Sequence, residues 1–313
     1  MRKISALCAA CMLAFAPAGA SEFRALSPED GGAVLAASDD FTSELSPADL
    51  SIRLRRADGG NLDDLRALYR SATLAWTPAE EARLAAMVAR AQARLEALAG
   101  WLPEEIGFIK TSEAADGGFP HTRGAAIIWG PALPESEGQL DFIFYHELWH
   151  VLSRHNAARR DEMYALIGFE PCASMAWPAA LRKGRLTNPD APRDMHVIPY
   201  QDGLYLMPRL MTTGRYDAAR PQFGDYLLPQ FVVTTRDAQG RCAPAADGAI
   251  LDSRTAAPFV FAAAGANTSY IIHPEEILAD NFAQLMIGRA DAPNPEVQAR
   301  LAEWLGYRAP RAD

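Results

Sequence analysis

Long hydrophobic runs, positive charge and cysteine are all scarce in this chain of 313 residues. The apolar stretch at 4–15 is too short to span a bilayer, and no later run approaches the roughly 20 residues that a spanning helix needs. We therefore expect no membrane span in the mature chain. The formal charge of -9 also makes nucleic acid a poor partner.

The N-terminus has the pattern of a secretory signal. Arg2 and Lys3 precede the apolar stretch, and the small residues Ala18-Gly19-Ala20 follow it. This pattern predicts a signal peptide over 1–20, cut before Ser21, and a periplasmic or secreted protein. Its removal takes two positive charges, so the formal charge changes from -9 to -11.

The same cleavage removes two of the four cysteines, Cys8 and Cys11. Cys172 and Cys242 remain, and exported proteins mature in an oxidising compartment. We expect these two residues to form one disulfide.

The most informative motif is His146-Glu147-Leu148-Trp149-His150, an H-E-x-x-H pattern in an apolar run. Residues four apart lie about 40° from each other around a helix, so both imidazoles can bind one metal ion, with Glu147 beside them. Zinc held by three protein ligands lowers the pKa of a water molecule to about 7, and a neighbouring carboxylate can accept its proton. The motif therefore predicts a zinc site, with Glu147 as the general base.

The flanking residues favour a buried helix with one polar face. Arg154 falls on the same side as the motif's polar residues, whereas apolar residues cover most of the remaining circumference. Ser136 and Gln139 can form a capping box at the start of this helix, and Asn156 is a candidate end.

Zinc needs a third protein ligand, which the residues just after the motif do not supply. The metzincin pattern requires Gly at 153 and His at 156, where this chain has Ser153 and Asn156. His155 points away from His146 if the helix continues.

A second helix is predicted within 269–286, with Pro274 in its first turn and Glu276 one turn before Asp280. Together with the pentad, this Glu-x-x-x-Asp spacing resembles the gluzincins, the thermolysin-like and related zinc peptidases. The resemblance implies that Glu276 is the third zinc ligand. It also implies that Asp280 accepts a hydrogen bond from a ligand imidazole. Competitors for the ligand role are Glu275, His273 and His196.

The predicted fold is α+β and zincin-like. A small sheet packs on the buried active-site helix, a second helix carries a zinc ligand, and the remainder is mostly helical. We expect an N-terminal arm with short helices over 21–75, irregular over 21–45, and a catalytic domain over 76–313. One hypothesis is a subdomain at about 171–265, including a hairpin and a further strand, inserted between the two zinc helices. The resemblance also makes the strand at 125–129 a candidate edge for an extended substrate.

These features predict an exported zinc-dependent hydrolase, with a peptidase acting on peptides or proteins as the first hypothesis. One alternative is a non-catalytic, zinc-containing periplasmic binding or assembly module. Another is a hydrolase of a non-peptide amide such as cell-wall material. Four residues are candidate donors to the oxyanion of the reaction: His196, Tyr200, Tyr205 and His273. The sequence leaves the oligomeric state open.

Overall fold

The computed structural model describes residues 21–246 and 248–309, so the predicted signal peptide over 1–20 lies outside the described residues. The strands are β1 Glu22–Ala25, β2 Thr73–Leu74, β3 Glu105–Thr111, β4 His121–Arg123, β5 Ala126–Trp129, β6 Glu170–Pro171, β7 Ser174–Met175, β8 His196–Pro199, β9 Tyr205–Met211, β10 Leu228–Arg236, β11 Arg241–Pro244 and β12 Ile250–Asp252. The helices are α1 Pro28–Leu35, α2 Asp40–Glu44, α3 Pro47–Arg53, α4 Leu62–Ala72, α5 Pro78–Ala97, α6 Glu137–His155, α7 Arg160–Ala165, α8 Ala179–Lys183, α9 Ser253–Ala264, α10 Pro274–Ile287 and α11 Pro295–Leu305. The α+β class is confirmed.

Capping side chains explain where several helices start. Ser46, Asn61 and Thr77 are the N-caps of α3, α4 and α5, and each side chain accepts a hydrogen bond from a backbone N–H of the first turn. Such caps stabilise a helix by about 1 kcal/mol each. Ser136 likewise caps α6, and Asn156 ends it.

The first sheet has the strand order β1-β3-β5-β4, and β2 also pairs with β3. Successive side chains of a strand point to opposite faces. Phe108 and Ile127 accordingly join the core around α5, α6 and α10, whereas Ile109 and Ile128 pack with α1 and α4. This sheet is therefore covered on both faces, with α6 on one of them.

The prediction of an irregular arm over 21–45 is wrong. Strand β1 pairs in parallel with β3, and α1 and α2 follow it. Glycines at 31 and 32 lowered the helical signal of α1, but both are buried, and a Cβ at Gly31 would lie 3.0 Å from Ile109. Close packing against the sheet therefore explains a helix that composition alone disfavours.

The prediction that β5 is a sheet edge is also wrong. β5 lies between β3 and β4, and β4 is the outer strand. The backbone N–H of Thr122 on β4 donates to Asp190 over 2.7 Å. A substrate strand therefore cannot add directly to β5.

Residues 170–252 form a second sheet with the order β6-β8-β9-β10-β11-β7, and β12 also pairs with β10. The predicted hairpin of β8 and β9 and the predicted strand β10 are confirmed. The expectation of a mostly helical remainder is wrong in this region. Ile198 and Phe231 join the same core as α6, and whether 171–265 is an inserted subdomain stays a prediction.

Cys172 and Cys242 lie at disulfide distance, as predicted, with their Cα atoms 5.7 Å apart. Among the described residues, no helix combines the length and the apolar character needed to cross a membrane.

Candidate metal centre

The candidate centre lies where α6 packs against α10. The rings of Trp149 and Phe282 meet with centroids 5.4 Å apart, and Leu148 and Ile277 are fully buried nearby. Burial of each such side chain stabilises the fold by about 1.5–3 kcal/mol. This packing brings the motif on α6 to the first turn of α10.

Both imidazoles of the motif approach one carboxylate oxygen. His146 Nε2 lies 3.1 Å from Glu276 Oε2, and His150 Nε2 lies 3.5 Å from the same oxygen. One ligand atom from each of the three residues lies within 4.8 Å of the others. The predicted ligands His146, His150 and Glu276 are therefore brought together.

The other nitrogen of each imidazole has its own carboxylate. His146 Nδ1 lies 2.8 Å from Asp280 Oδ1, and His150 Nδ1 lies 3.0 Å from Glu275 Oε1. A carboxylate behind a histidine fixes its ring orientation and makes the far nitrogen the free electron-pair donor. The structure thus places Asp280 where the resemblance implied, and Glu275 in the same kind of position behind the second ring.

The competitors of Glu276 are engaged elsewhere. Glu275 also accepts hydrogen bonds from the hydroxyls of Ser153 and Tyr164, at 2.8 and 2.6 Å. His273 caps α10 and accepts from the backbone N–H of Glu275, whereas His196 lies 2.8 Å from Asp161.

The residues fit a bound divalent metal. Within the described part of the chain, His150 Nε2 and Glu147 Oε2 are buried and have no hydrogen-bond partner. Buried polar atoms without partners are costly, and a ligand or ion at this point would satisfy them. Two imidazole nitrogens and one carboxylate oxygen form a donor set that suits zinc and leaves one coordination position open.

The charges at the site shift the pKa values of its groups. Burial lowers the pKa of His146, but the hydrogen bonds to Asp280 and Glu276 outweigh it and raise the pKa to about 10. Burial, and next the charge of Asp190, raise the pKa of Glu147 to about 8. Without a metal, protons on these groups offset the charge of the carboxylates. A divalent cation would displace those protons.

Two residues of the segment 186–190 reach the site and were missed by the sequence reasoning. Asn188 Nδ2 donates to Glu276 Oε1 over 2.5 Å, which leaves Oε2 facing the imidazoles. Asp190 lies with its carboxylate within 4.8 Å of ligand atoms of Glu147 and His150. The only signal in the sequence was a long proline-containing connection, a kind that often serves function.

A cleft of about 450 Å³ opens onto His146 and Glu147. Its wall is largely apolar, with Phe119, Phe142, Ile143, Leu186, Phe223 and Ile272 among the lining residues. Tyr270 also lines it, with its ring 6.2 Å from that of His146. None of the four predicted oxyanion donors lines this cleft, so Tyr270 is the aromatic hydroxyl that the sequence reasoning missed.

Fold and site together define an α+β protein with a candidate two-histidine, one-carboxylate metal centre at the junction of two buried helices. Comparisons with protein-family models, curated proteins and solved structures find no match to this chain.

Proposed function

We propose that this chain is an exported zinc-dependent hydrolase of the gluzincin type, and that it cleaves peptide bonds. The observation that carries the proposal is the approach of His146 Nε2 and His150 Nε2 to one oxygen of Glu276, with Glu147 beside them. A structural zinc site normally has a fourth protein ligand and gains nothing from an adjacent base.

In this proposal the metal is held by His146, His150 and Glu276. When bound, zinc supplies Lewis acidity that polarises a carbonyl group and lowers the pKa of water. Asp280 and Glu275 hold the two imidazoles in the tautomer that presents Nε2. Asn188 engages the second oxygen of Glu276 and so keeps Oε2 directed at the histidines.

Glu147 moves the proton. Its Oε2 is buried and has no hydrogen-bond partner among the described residues. The ionised carboxylate is favoured beside a bound divalent cation, and it could then accept a hydrogen bond, and next a proton, from a water molecule in the cleft. The same carboxyl then delivers this proton to the leaving amine nitrogen. Tyr270 lines the cleft beside His146 and is the candidate donor to the developing oxyanion.

A purified, zinc-loaded chain should degrade denatured casein, and Glu147→Gln should lower the rate by roughly 10²–10⁴-fold while keeping the metal. The same two proteins are assayed in parallel with peptidoglycan fragments as substrate. Turnover of the fragments but not of casein would replace the peptidase by an amidase acting on cell-wall material. If wild type and Glu147→Gln both retain the metal and neither turns over either substrate, the result would favour the alternative of a non-catalytic binding or assembly module.

The ligand assignment has its own test, which does not depend on turnover. Glu276→Gln should lower the affinity for zinc, whereas His273→Ala should retain both the affinity and the stoichiometry of zinc binding. Full affinity in Glu276→Gln would refute the ligand set.

Export is the remaining element of the proposal, and it is supported by the cysteine pair at disulfide distance. N-terminal sequencing of protein recovered from the periplasm or medium should begin at Ser21. Recovery of the chain only in the cytoplasm would contradict it.

A further inference from the structure

A second pocket, of about 430 Å³, lies beside the segment 182–195. Five basic residues contribute to its lining: Arg182, Lys183, Arg185, Arg193 and Arg209. Among the described residues, the acidic residues that line it with them are Glu44 and Asp194. We call this the basic pocket, and its surplus of positive charge contrasts with the formal charge of -9 for the whole chain.

The two carboxylates are shared among the cations. Asp194 binds both Arg185, at 3.1 Å, and Arg209. Glu44 binds Arg185 at 3.1 Å and the exposed Arg193 at 3.4 Å. Arg193 also binds Asp40, at 3.5 Å. These three arginines are thus balanced by three acids, and the surplus positive charge of the pocket comes from its other two cations.

Two further cations have no acidic partner at all. Arg182 and Lys183 are exposed at the end of α8, and neither forms an ion pair with any residue in 21–246 or 248–309. They add two uncompensated charges to the rim of the pocket.

Arg209 provides the second, independent observation. Its side chain is 2% exposed, and within the described ranges its Nε has no hydrogen-bond partner. Its guanidinium lies over the ring of Trp177, 3.8 Å from the centroid. Burial lowers the pKa of Arg209 to about 10, with Asp194 opposing this shift and Arg185 adding to it. A buried guanidinium with an unused donor is a costly arrangement unless a further acceptor is present.

We propose that the basic pocket binds a small dianion, whose charged oxygens are held by the guanidinium groups and by Lys183. Guanidinium groups bind carboxylate and phosphate with two parallel hydrogen bonds, so either group has the required chemistry. Trp177, Met175 and Met195 line the same pocket and offer an apolar surface to the body of the ligand. This site is separate from the metal centre and does not depend on the proposed hydrolase activity.

The pocket and the active-site cleft share one stretch of backbone. Arg185, Arg193 and Asp194 line the pocket, whereas Asn188 and Asp190 between them line the cleft. The segment that carries Asn188 is therefore part of both linings.

Isothermal titration with inorganic phosphate and, separately, with succinate tests the proposal. At about 10 mM ionic strength, where screening is weak, wild type should bind at least one of the two anions. The double variant Arg182→Gln/Lys183→Gln should bind it about tenfold more weakly, because two charges near the anion are lost. The control Arg254→Gln/Arg308→Gln removes the same charge from exposed positions outside the pocket and should bind like wild type.

Binding of phosphate alone identifies a phosphate ligand, and binding of succinate alone identifies a carboxylate ligand. Either result supports anion binding in the basic pocket if the affinity falls in the double variant Arg182→Gln/Lys183→Gln and not in the control. No binding of either anion to wild type would overturn the proposal. Equal binding by wild type and the double variant Arg182→Gln/Lys183→Gln would overturn it as well. This is also the result expected if the anion binds at the metal centre and not in the basic pocket.

Discussion

Replacement of Asp280 by Asn tests whether the charge behind His146 contributes to metal binding. Asp280 Oδ1 lies 2.8 Å from His146 Nδ1, and its other oxygen accepts the hydroxyl of Thr268. Asn has the same shape, and its carbonyl oxygen can still accept from His146 while its amide faces Thr268. The variant therefore removes the charge and retains the geometry.

The magnitude follows from the two kinds of hydrogen bond. A bond to a charged group contributes about 1.5–3 kcal/mol and a neutral one about 0.5–1.5, so the charge itself is worth roughly 1–1.5 kcal/mol. That difference corresponds to about a tenfold loss of zinc affinity in Asp280→Asn. Asp280→Ala also loses the orientation of the ring, and the loss should approach 100-fold.

Zinc affinity is measured by competition with a chromophoric chelator at neutral pH. Glu303→Gln on α11 is the matched control, because it removes one negative charge from an exposed side chain away from the centre. Wild-type affinity in Asp280→Ala would refute the inference that this carboxylate supports a metal ligand.

Three further predictions concern stability, each measured by urea unfolding. Glu275→Ala leaves three donors without an acceptor and should cost the metal-free protein about 3–5 kcal/mol; a loss below about 1 kcal/mol would contradict this. Reduction of the pair Cys172 and Cys242, which are 70 residues apart, should cost up to about 4 kcal/mol, and an unchanged midpoint would argue against the disulfide. Burial lowers the pKa of His121 to about 4, so between about pH 6.5 and about pH 4 only the unfolded chain gains a proton at this residue. From about pH 7.5 to about pH 5 this residue should therefore remove about 2 kcal/mol of stability, and the change in wild type should differ from that in His121→Gln by this amount.

The two helices of the candidate centre were predictable because their signals are local. The period of apolar residues, the cap at Ser136 and the first-turn proline Pro274 depend on neighbours within a few positions. Helix α6 ends at His155, next to the predicted end at Asn156. The relation of Asp280 to a ligand imidazole was implied by the family resemblance, and its spacing of one turn from Glu276 places both carboxylates on one side of α10.

Residues outside regular structure could not be predicted in the same way. Asn188 and Asp190 lie in a segment without helical or strand period. Asn188 contacts Glu276, 88 positions away along the chain, and Asp190 accepts from Thr122 on β4, 68 positions away. The edge position of β5 was mispredicted for a related reason. Strand order depends on which segments pair, and the short β4 has too few residues to give a signal of its own.

Glu275 and Glu276 are adjacent acids, so the sequence alone did not determine which of them is the third ligand. The packing of α10 against α6 distinguishes them. Consecutive residues on a helix point about 100° apart, so two neighbouring carboxylates at one helix start cannot face the same atom. Glu275 turns toward His150 Nδ1, Ser153 and Tyr164, and Glu276 toward the two Nε2 atoms. Exchanging their roles would require α10 to rotate against α6, which would move Phe282 from its contact with Trp149. The core between the two helices therefore determines which carboxylate faces the histidines, and a substitution that repacks this core should weaken metal binding without touching a ligand.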